Sequence, residues 1–182
     1  MDWAERMAEY VDLLGGWNDR VNLVSRRSMA SVVGDQIVPS LAALLVVPVG
    51  ASVRVLDVGS GGGFPGIPLG ILRPEARIDL VEATRNKCDF LEVAAKAAGL
   101  RDARVHWCRI ERPSESLLAR RPFDVAFARA VGTPTVIARG ARPLLAEHGS
   151  LWTFVGPDTP GSMRWPQAGP AITALRAEKI TT

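Results

Sequence analysis

The densest chemistry in this 182-residue chain lies in the run Asp57-Val58-Gly59-Ser60-Gly61-Gly62-Gly63-Phe64-Pro65-Gly66. Glycines at that density let a backbone turn sharply and approach a ligand with no side chain between them. The spacing Gly61-x-Gly63-x-x-Gly66 also satisfies the dinucleotide fingerprint, so the glycines alone do not select a ligand. Charge separates the candidates. Asp57 stands just before the turn and Glu82 closes the next apolar run, which predicts an acidic rim to the pocket. A pyrophosphate is repelled by that rim, whereas a ligand carrying a sulfonium and an ammonium is attracted to it. Glu82 also follows Asp57 at close to the roughly 20-residue offset where a carboxylate accepts hydrogen bonds from a ribose. The residue types therefore point to S-adenosylmethionine held by Asp57, Gly61, Gly63 and Glu82. The alternative, two carboxylates that only cap helices, stays open beside it.

Such a loop needs a strand before it and a helix after it, and the sequence supplies both repeatedly. Short apolar runs predict strands at Val53–Val58, Arg77–Val81, Ala103–Trp107, Phe123–Ala128 and Ser150–Val155. Helical stretches are expected between them at Pro65–Leu72, Thr84–Gly99 and Pro134–Leu145. Strand and helix in alternation define an α/β, doubly wound, mostly parallel Rossmann-like sheet. Two helical stretches precede it. Met7, Tyr10, Val11, Leu14 and Trp17 recur at helical spacing up to Gly15–Gly16, and Met29–Leu45 forms a second stretch broken at Pro39. The prolines and glycines between Pro157 and Pro170 oppose regular structure, and Ile172–Ile180 is read as a last strand. One domain is expected over 1–182: a helical part over 1–50, a cofactor-binding core over 51–156, and a shortened strand region over 157–182.

Composition narrows the function classes. A hydrophobic share of 47% with 23% charged residues describes a folded globular chain rather than a disordered tail. The net charge of +3 permits a nucleic-acid partner without requiring one. Cys88 and Cys108 lack metal-ligand spacing, and His106 and His148 stand apart from any carboxylate or cysteine at ligand spacing, so no metal is expected. Cys88 shares a helix face with Leu91 and reads as a packing residue. The polar start Met1–Glu9 is unlike a secretory leader, and Leu41–Val49 is too short to span a bilayer; a cytoplasmic monomer without membrane attachment is expected.

The motifs resemble those of the glucose-inhibited division protein B family, also called ribosomal RNA small-subunit methyltransferase G. The likeness runs through Trp17-Asn18-x-x-Val21-Asn22-Leu23, the glycine loop continuing into Phe64-Pro65-Gly66-Ile67-Pro68, Arg73-Pro74, Arg109-Ile110-Glu111 and Phe123-Asp124-x-x-x-x-Arg129-Ala130. The resemblance implies methylation of a guanine N7 in small-subunit (16S) ribosomal RNA by S-adenosylmethionine, with ribosomal RNA or the small ribosomal subunit as partner. It further implies Gly59 and Phe64 at the methionine and adenosine of the cofactor, and Ala83, Thr84 and Arg85 beside the ribose. Ile110 and Glu111 fall at the adenine edge, and Arg129 near the cofactor or target base. Arg129 is thus the candidate catalytic residue; a structural ion pair with Glu111 or Asp124 is its alternative.

The sequence departs from the family pattern on the substrate side. Gln36 and Pro39 precede Ser40 where the family usually carries a histidine and an aspartate, and Val155 precedes Gly156 where it usually carries a lysine. These changes keep open a methyltransferase of the same fold acting on a small molecule or another RNA, and a catalytically inactive cofactor-binding relative. A nicotinamide-dependent oxidoreductase using the same glycines is a further alternative. Arg20, Arg26, Arg27, Arg73, Arg77, Arg120 and Arg121 are candidate phosphate contacts, each of which also reads as solvated surface. Trp3, Trp107, Trp152 and Trp165 are candidates for stacking on a base, packing is the commoner role of a tryptophan at such positions, and none is assigned a role.

Overall fold

A computed structural model of the chain describes residues 2–47, 52–129, 131–155 and 174–178. The apolar runs become β1 (Arg54–Val58), β2 (Arg77–Glu82), β3 (Ala103–Trp107), β4 (Phe123–Arg129) and β5 (Leu145–Val155), with β6 at Ala174–Glu178. They form one sheet in the order β3-β2-β1-β4-β5-β6. β1 to β5 are parallel to their neighbours, and β6 runs antiparallel to β5. This is the expected α/β class. The strand order reverses between β1 and β4, and an open parallel sheet binds its ligands at such a switch point, beyond the carboxyl ends of the strands.

Side chains alternate across each strand, so every strand serves two layers. Val55, Leu80, Val125 and Phe127 join Tyr10, Leu14, Ile67 and Phe90 in one buried cluster, whereas Leu56, Val58, Val81 and Ala126 join Ile110, Leu117, Ile137 and Leu151 in another. The first layer is covered by α1 (Trp3–Asn18), α4 (Gly66–Leu72) and α5 (Arg85–Ala97). Asp2 caps α1 by a reciprocal capping box with Glu5. The helix continues past Gly15–Gly16 to Asn18 because burying Leu14 and stacking Trp17 on Phe90 at 5.7 Å outweigh the helix penalty of two glycines, about 1 kcal/mol each. The Asn18 side chain then accepts from the backbone N–H groups of Leu23 and Val24, both at 3.0 Å, and turns the chain back.

The second helical stretch is a series of short pieces. α2 (Arg26–Ala30) is followed by a π-helical turn at Val33–Ile37, then α3 (Val38–Leu41) and a 3₁₀ turn at Ala42–Leu45. The break falls at Pro39 as expected: the π-helical turn ends at Ile37 and Pro39 sits in the first turn of α3, where its missing N–H is tolerated. Between β3 and β4 a short helix that the sequence reading did not anticipate, α6 (Glu115–Leu118), is capped by Ser114. α7 (Pro134–Ala141) ends earlier than expected, giving way to a 3₁₀ turn at Arg142–Leu144. β5 starts at Leu145 rather than Ser150, because Leu145 already pairs with Phe123 before a register shift restores pairing at Val125 and Ser150. The closing strand falls inside Ile172–Ile180. The proline- and glycine-rich segment before it, Trp165 and Gly156 lie outside the described residues, as does the side chain of Val155.

Candidate functional site

The carboxyl ends of β1, β2 and β4 open into a cleft of about 610 Å³. Val58, Val81 and Arg129 line it from the strand ends, and the glycine loop supplies its floor. Gly59 adopts φ +73°, and a Cβ there would stand 2.6 Å from a methyl of Val131, so no other residue fits this turn without displacing the chain. The N–H groups of Gly59 and Ser60 both donate to the Val81 carbonyl, at 2.8 and 3.0 Å, and tie the loop to β2. From the far side, the Tyr10 hydroxyl donates to the Gly62 carbonyl, so α1 holds the same loop from beneath.

Glu82 ends β2 inside the cleft. One carboxylate oxygen accepts from the Gly61 N–H at 3.0 Å and the other from the Thr84 N–H at 2.8 Å. A carboxylate has about four acceptor sites, so two backbone donors orient Glu82 and leave lone pairs for further donors. Beyond β3, Ile110 and Glu111 form part of the wall, on a turn closed by the Arg109–Arg112 bridge. Phe64 adds an apolar surface, packed against Tyr10 at 5.6 Å between ring centroids.

Arg129 ends β4. Its Nη2 donates to the Asp35 carbonyl at 2.6 Å, its guanidinium lies 5.7 Å from the Phe154 ring centroid, and its buried Nη1 has no hydrogen-bond partner among the described residues. Neither Glu111 nor Asp124 pairs with it; Asp124 instead accepts from the Arg54 backbone N–H. Burial lowers the Arg129 pKa, and the nearby Asp57 opposes that shift. An unsatisfied guanidinium N–H in a cleft wall is a donor in want of an acceptor.

The structure corrects the reading of Asp57. Its carboxyl is fully buried and does not reach the cleft, so it makes no acidic rim. Period-two alternation turns Asp57 to the same face as Val55, under the loop, where Oδ2 accepts from the Gly66 N–H at 3.0 Å and Oδ1 has no partner among the described residues. Burial raises its pKa to about 7, against the lowering effect of the Gly66 hydrogen bond. Gly66 is itself required by this approach: a Cβ would collide with Leu80 and come within 2.8 Å of Asp57 Oδ2.

Of the other residues singled out in the sequence, Gly59, Gly61, Phe64, Glu82, Ala83, Ile110, Glu111 and Arg129 line the cleft. Gly63, Thr84 and Arg85 do not. Thr84 contributes only its backbone to Glu82, and Arg85 pairs with Asp89 and lies over Trp107. A further wall comes from the segment that precedes the sheet: Gln36, singled out as a substrate-side position, lines the cleft with Leu23, Val24 and Ser28, of which Val24 and Ser28 were not anticipated. Lys87, from the first turn of α5, also faces the cleft. Cys88 packs as expected, buried, with its thiol pushed up to about 11 by burial and by Glu82. Among the described residues no group of three or more His, Cys, Asp or Glu could hold a metal ion, and no helix is long and apolar enough to cross a membrane.

The fold is that of Rossmann-like methyltransferases. TrmN from Thermus thermophilus superposes with a TM-score of 0.58 at 18% identity, over 78% of this chain and 47% of that one. The precorrin-6y C5,15-methyltransferase from Geobacter metallireducens gives 0.53 at 18%, over 64% and 62%. A mutant of MtNAS in complex with S-adenosylmethionine gives 0.59 at 12%, over 94% and 70%. Sequence likeness narrows the class: the family model for rRNA small subunit methyltransferase G matches residues 4–160. A ribosomal RNA small subunit methyltransferase G from Rubrobacter xylanophilus is 38% identical over 174 residues, which is 96% of this chain and 66% of the relative. Its counterpart from Chlorobium luteolum is 37% identical over 152 residues, 84% of this chain and 62% of the relative. This chain belongs to the rRNA small subunit methyltransferase G family. It spans 66% and 62% of the length of those two relatives.

Proposed function

We propose that the chain binds S-adenosylmethionine in this cleft and transfers the methyl group to N7 of a guanine in small-subunit ribosomal RNA, working as a cytoplasmic monomer. The observation that carries the reading is the pairing of an oriented acceptor with an unsatisfied donor across one cleft: Glu82 on β2 and Arg129 on β4. Those groups fit the cofactor's chemistry. Glu82 keeps lone pairs for ribose hydroxyls, Phe64 and Ile110 offer apolar surface to an adenosine, and Arg129 Nη1 offers a hydrogen bond to a carboxylate. When bound, the cofactor supplies an electrophilic methyl group on a sulfonium.

Little acid–base work is left to the protein. A guanine N7 carries a lone pair and no proton, so no base has to act before attack. Rate enhancement then rests on holding two partners in line, the effect worth most in bimolecular transfers. Arg129 and the wall bearing Ser28 and Gln36 meet at the Asp35 carbonyl, so the strand end and the preceding segment are positioned together. The test has two parts. Calorimetric titration with S-adenosylhomocysteine should show saturable binding that Glu82→Ala weakens, and tritiated S-adenosylmethionine should label the guanine N7 of undermethylated small-subunit RNA. Binding without RNA labelling would move the substrate to a small molecule, consistent with Gln36 in the cleft wall; no binding would leave an inactive relative.

A further inference from the structure

The outer edge of the sheet carries an aromatic surface that the cleft does not use. Trp107, which the sequence leaves between base stacking and packing, is 57% exposed. Its ring is nonetheless fixed. The indole N–H donates to the Ala83 carbonyl at 3.0 Å, and the Arg85 guanidinium lies 5.2 Å from the ring centroid. Arg85 is held in turn by Asp89 at 3.0 Å. An indole that is oriented by two contacts but not covered keeps a rigid π-face available at little further entropic cost.

Its neighbours place it at the mouth of the cleft. Trp107 is the ladder partner of Glu82; Ala83, which takes its N–H, lines the cleft, as do Cys108 and Arg109, which follow it in the chain. Arg104, Arg109 and Arg112 are exposed on the same edge. The acids close by are Glu82, which accepts from the Gly61 and Thr84 N–H groups, Glu111, and Asp89, which is engaged by Arg85. A fixed aromatic face among arginines matches the way single-stranded nucleic acid is held, by stacking on the bases and by cations along the backbone.

We propose that Trp107, braced by Arg85 and flanked by Arg109 and Arg112, is a docking platform on which an unpaired base of the RNA flanking the target guanine stacks. The platform rests on the reading of the chain as an RNA methyltransferase and adds to it a second contact outside the cofactor cleft. The arginines supply the phosphate contacts, and Trp107 supplies affinity that is independent of base identity.

The test compares wild type, Trp107→Phe, Trp107→Leu and Trp107→Ala in two titrations: S-adenosylhomocysteine by calorimetry and a labelled, unstructured oligoribonucleotide of mixed sequence by fluorescence anisotropy. Stacking on one aromatic is worth about 1–3 kcal/mol, so Trp107→Leu and Trp107→Ala should weaken RNA binding by roughly five- to a hundredfold, while Trp107→Phe keeps most of it. S-adenosylhomocysteine affinity should stay unchanged in all three. Replacing Arg109 and Arg112 by glutamine should reduce the salt dependence of RNA binding by about 0.7 in log–log slope per charge removed. Equal RNA affinity in wild type and Trp107→Leu overturns the platform while leaving the enzyme reading intact. Parallel loss of both ligands means that the ring only supports Ala83, and also overturns it. A dimer that Trp107→Ala dissolves assigns the surface to a second copy instead. If wild type binds S-adenosylhomocysteine but neither binds nor methylates RNA, the RNA reading fails and the platform with it.

Discussion

Two charge clusters, each built around a buried aspartate, share this sheet and handle charge in opposite ways. At the β2–β3 edge, Asp79 accepts from His106 Nε2 at 2.6 Å and from Arg120 Nε and Nη2 at 2.8 and 3.0 Å. Arg120 also donates to Asp102 at 2.8 Å, and Arg77 donates to the other Asp102 oxygen at 2.6 Å. His106 Nδ1 meets the Ser116 hydroxyl at 3.1 Å. Every carboxylate oxygen in the set has a partner, and although partial burial opposes it, hydrogen bonds from Arg120 and Arg77 hold Asp102 below its ordinary pKa. At the β1–β4 switch point, Asp57 Oδ1 and Arg129 Nη1 are buried with no partner among the described residues. The first cluster spends all its hydrogen bonds on the fold. The second withholds some, which is the mark of a place prepared for something else.

The sharpest way to break this contrast is to remove one member of the satisfied set. Arg120→Ala leaves the buried Asp79 with His106 as its remaining side-chain partner and should cost up to about 3–5 kcal/mol of stability, read by denaturant unfolding, with S-adenosylhomocysteine affinity unchanged in the folded protein. A loss of under 1 kcal/mol would mean that the network is ornamental. The matching test in the cleft is Glu82→Ala, which removes an acceptor oriented by two N–H groups. Cofactor affinity should fall by about 2–3 kcal/mol, near a hundredfold, in calorimetry, with a smaller effect on unfolding. Equal losses in both measurements would erase the distinction between the clusters.

Gly66→Ala probes the junction of fold and site by forcing a methyl against Asp57 and Leu80. Overpacking of this kind costs about 1–3 kcal/mol in thermal or chemical melts; an unchanged midpoint would show that α4 shifts freely.

The gentlest probe is pH. The folded pKa of Asp57, about 7, lies above the ordinary carboxylate value of 3.8, so the folded state keeps a proton that the unfolded chain releases. The stability from this group is therefore complete below about pH 4 and is lost as pH rises towards 7, by at most about 1.4 kcal/mol per pH unit. Asp57→Asn should flatten that segment of the stability profile. Persistence of the slope in the variant would place the titration elsewhere.

The sheet was legible because buried parallel strands write themselves as apolar runs separated by helical spacing, and the glycine loop because few other sequences permit its turn. Glu82 was legible for the same reason: it closes a strand, and strand ends define the cleft. Asp57 was misplaced although its position in β1 is correct, because the direction of its side chain follows from the pleat and not from its charge. His106 looked isolated because its carboxylate is Asp79, on the neighbouring strand, and spacing along the chain cannot report a contact made across a ladder. In the wall formed by Leu23, Val24, Ser28 and Gln36, only Leu23 and Gln36 were marked, by family pattern; Val24 and Ser28 carried no local signal, since their role depends on where the segment before the sheet folds back. Trp107 was judged by what tryptophans usually do, while its exposure is decided by lying at the end of an edge strand.

The hydrogen bond from Arg129 to the Asp35 carbonyl joins residues 94 positions apart. Closing so long a loop is entropically expensive and is repaid only after the sheet between them exists. The cleft is thus assembled by global topology rather than by any contiguous peptide. A chain severed between the N-terminal segment and the sheet retains every glycine of its loop yet has a cleft with one wall missing.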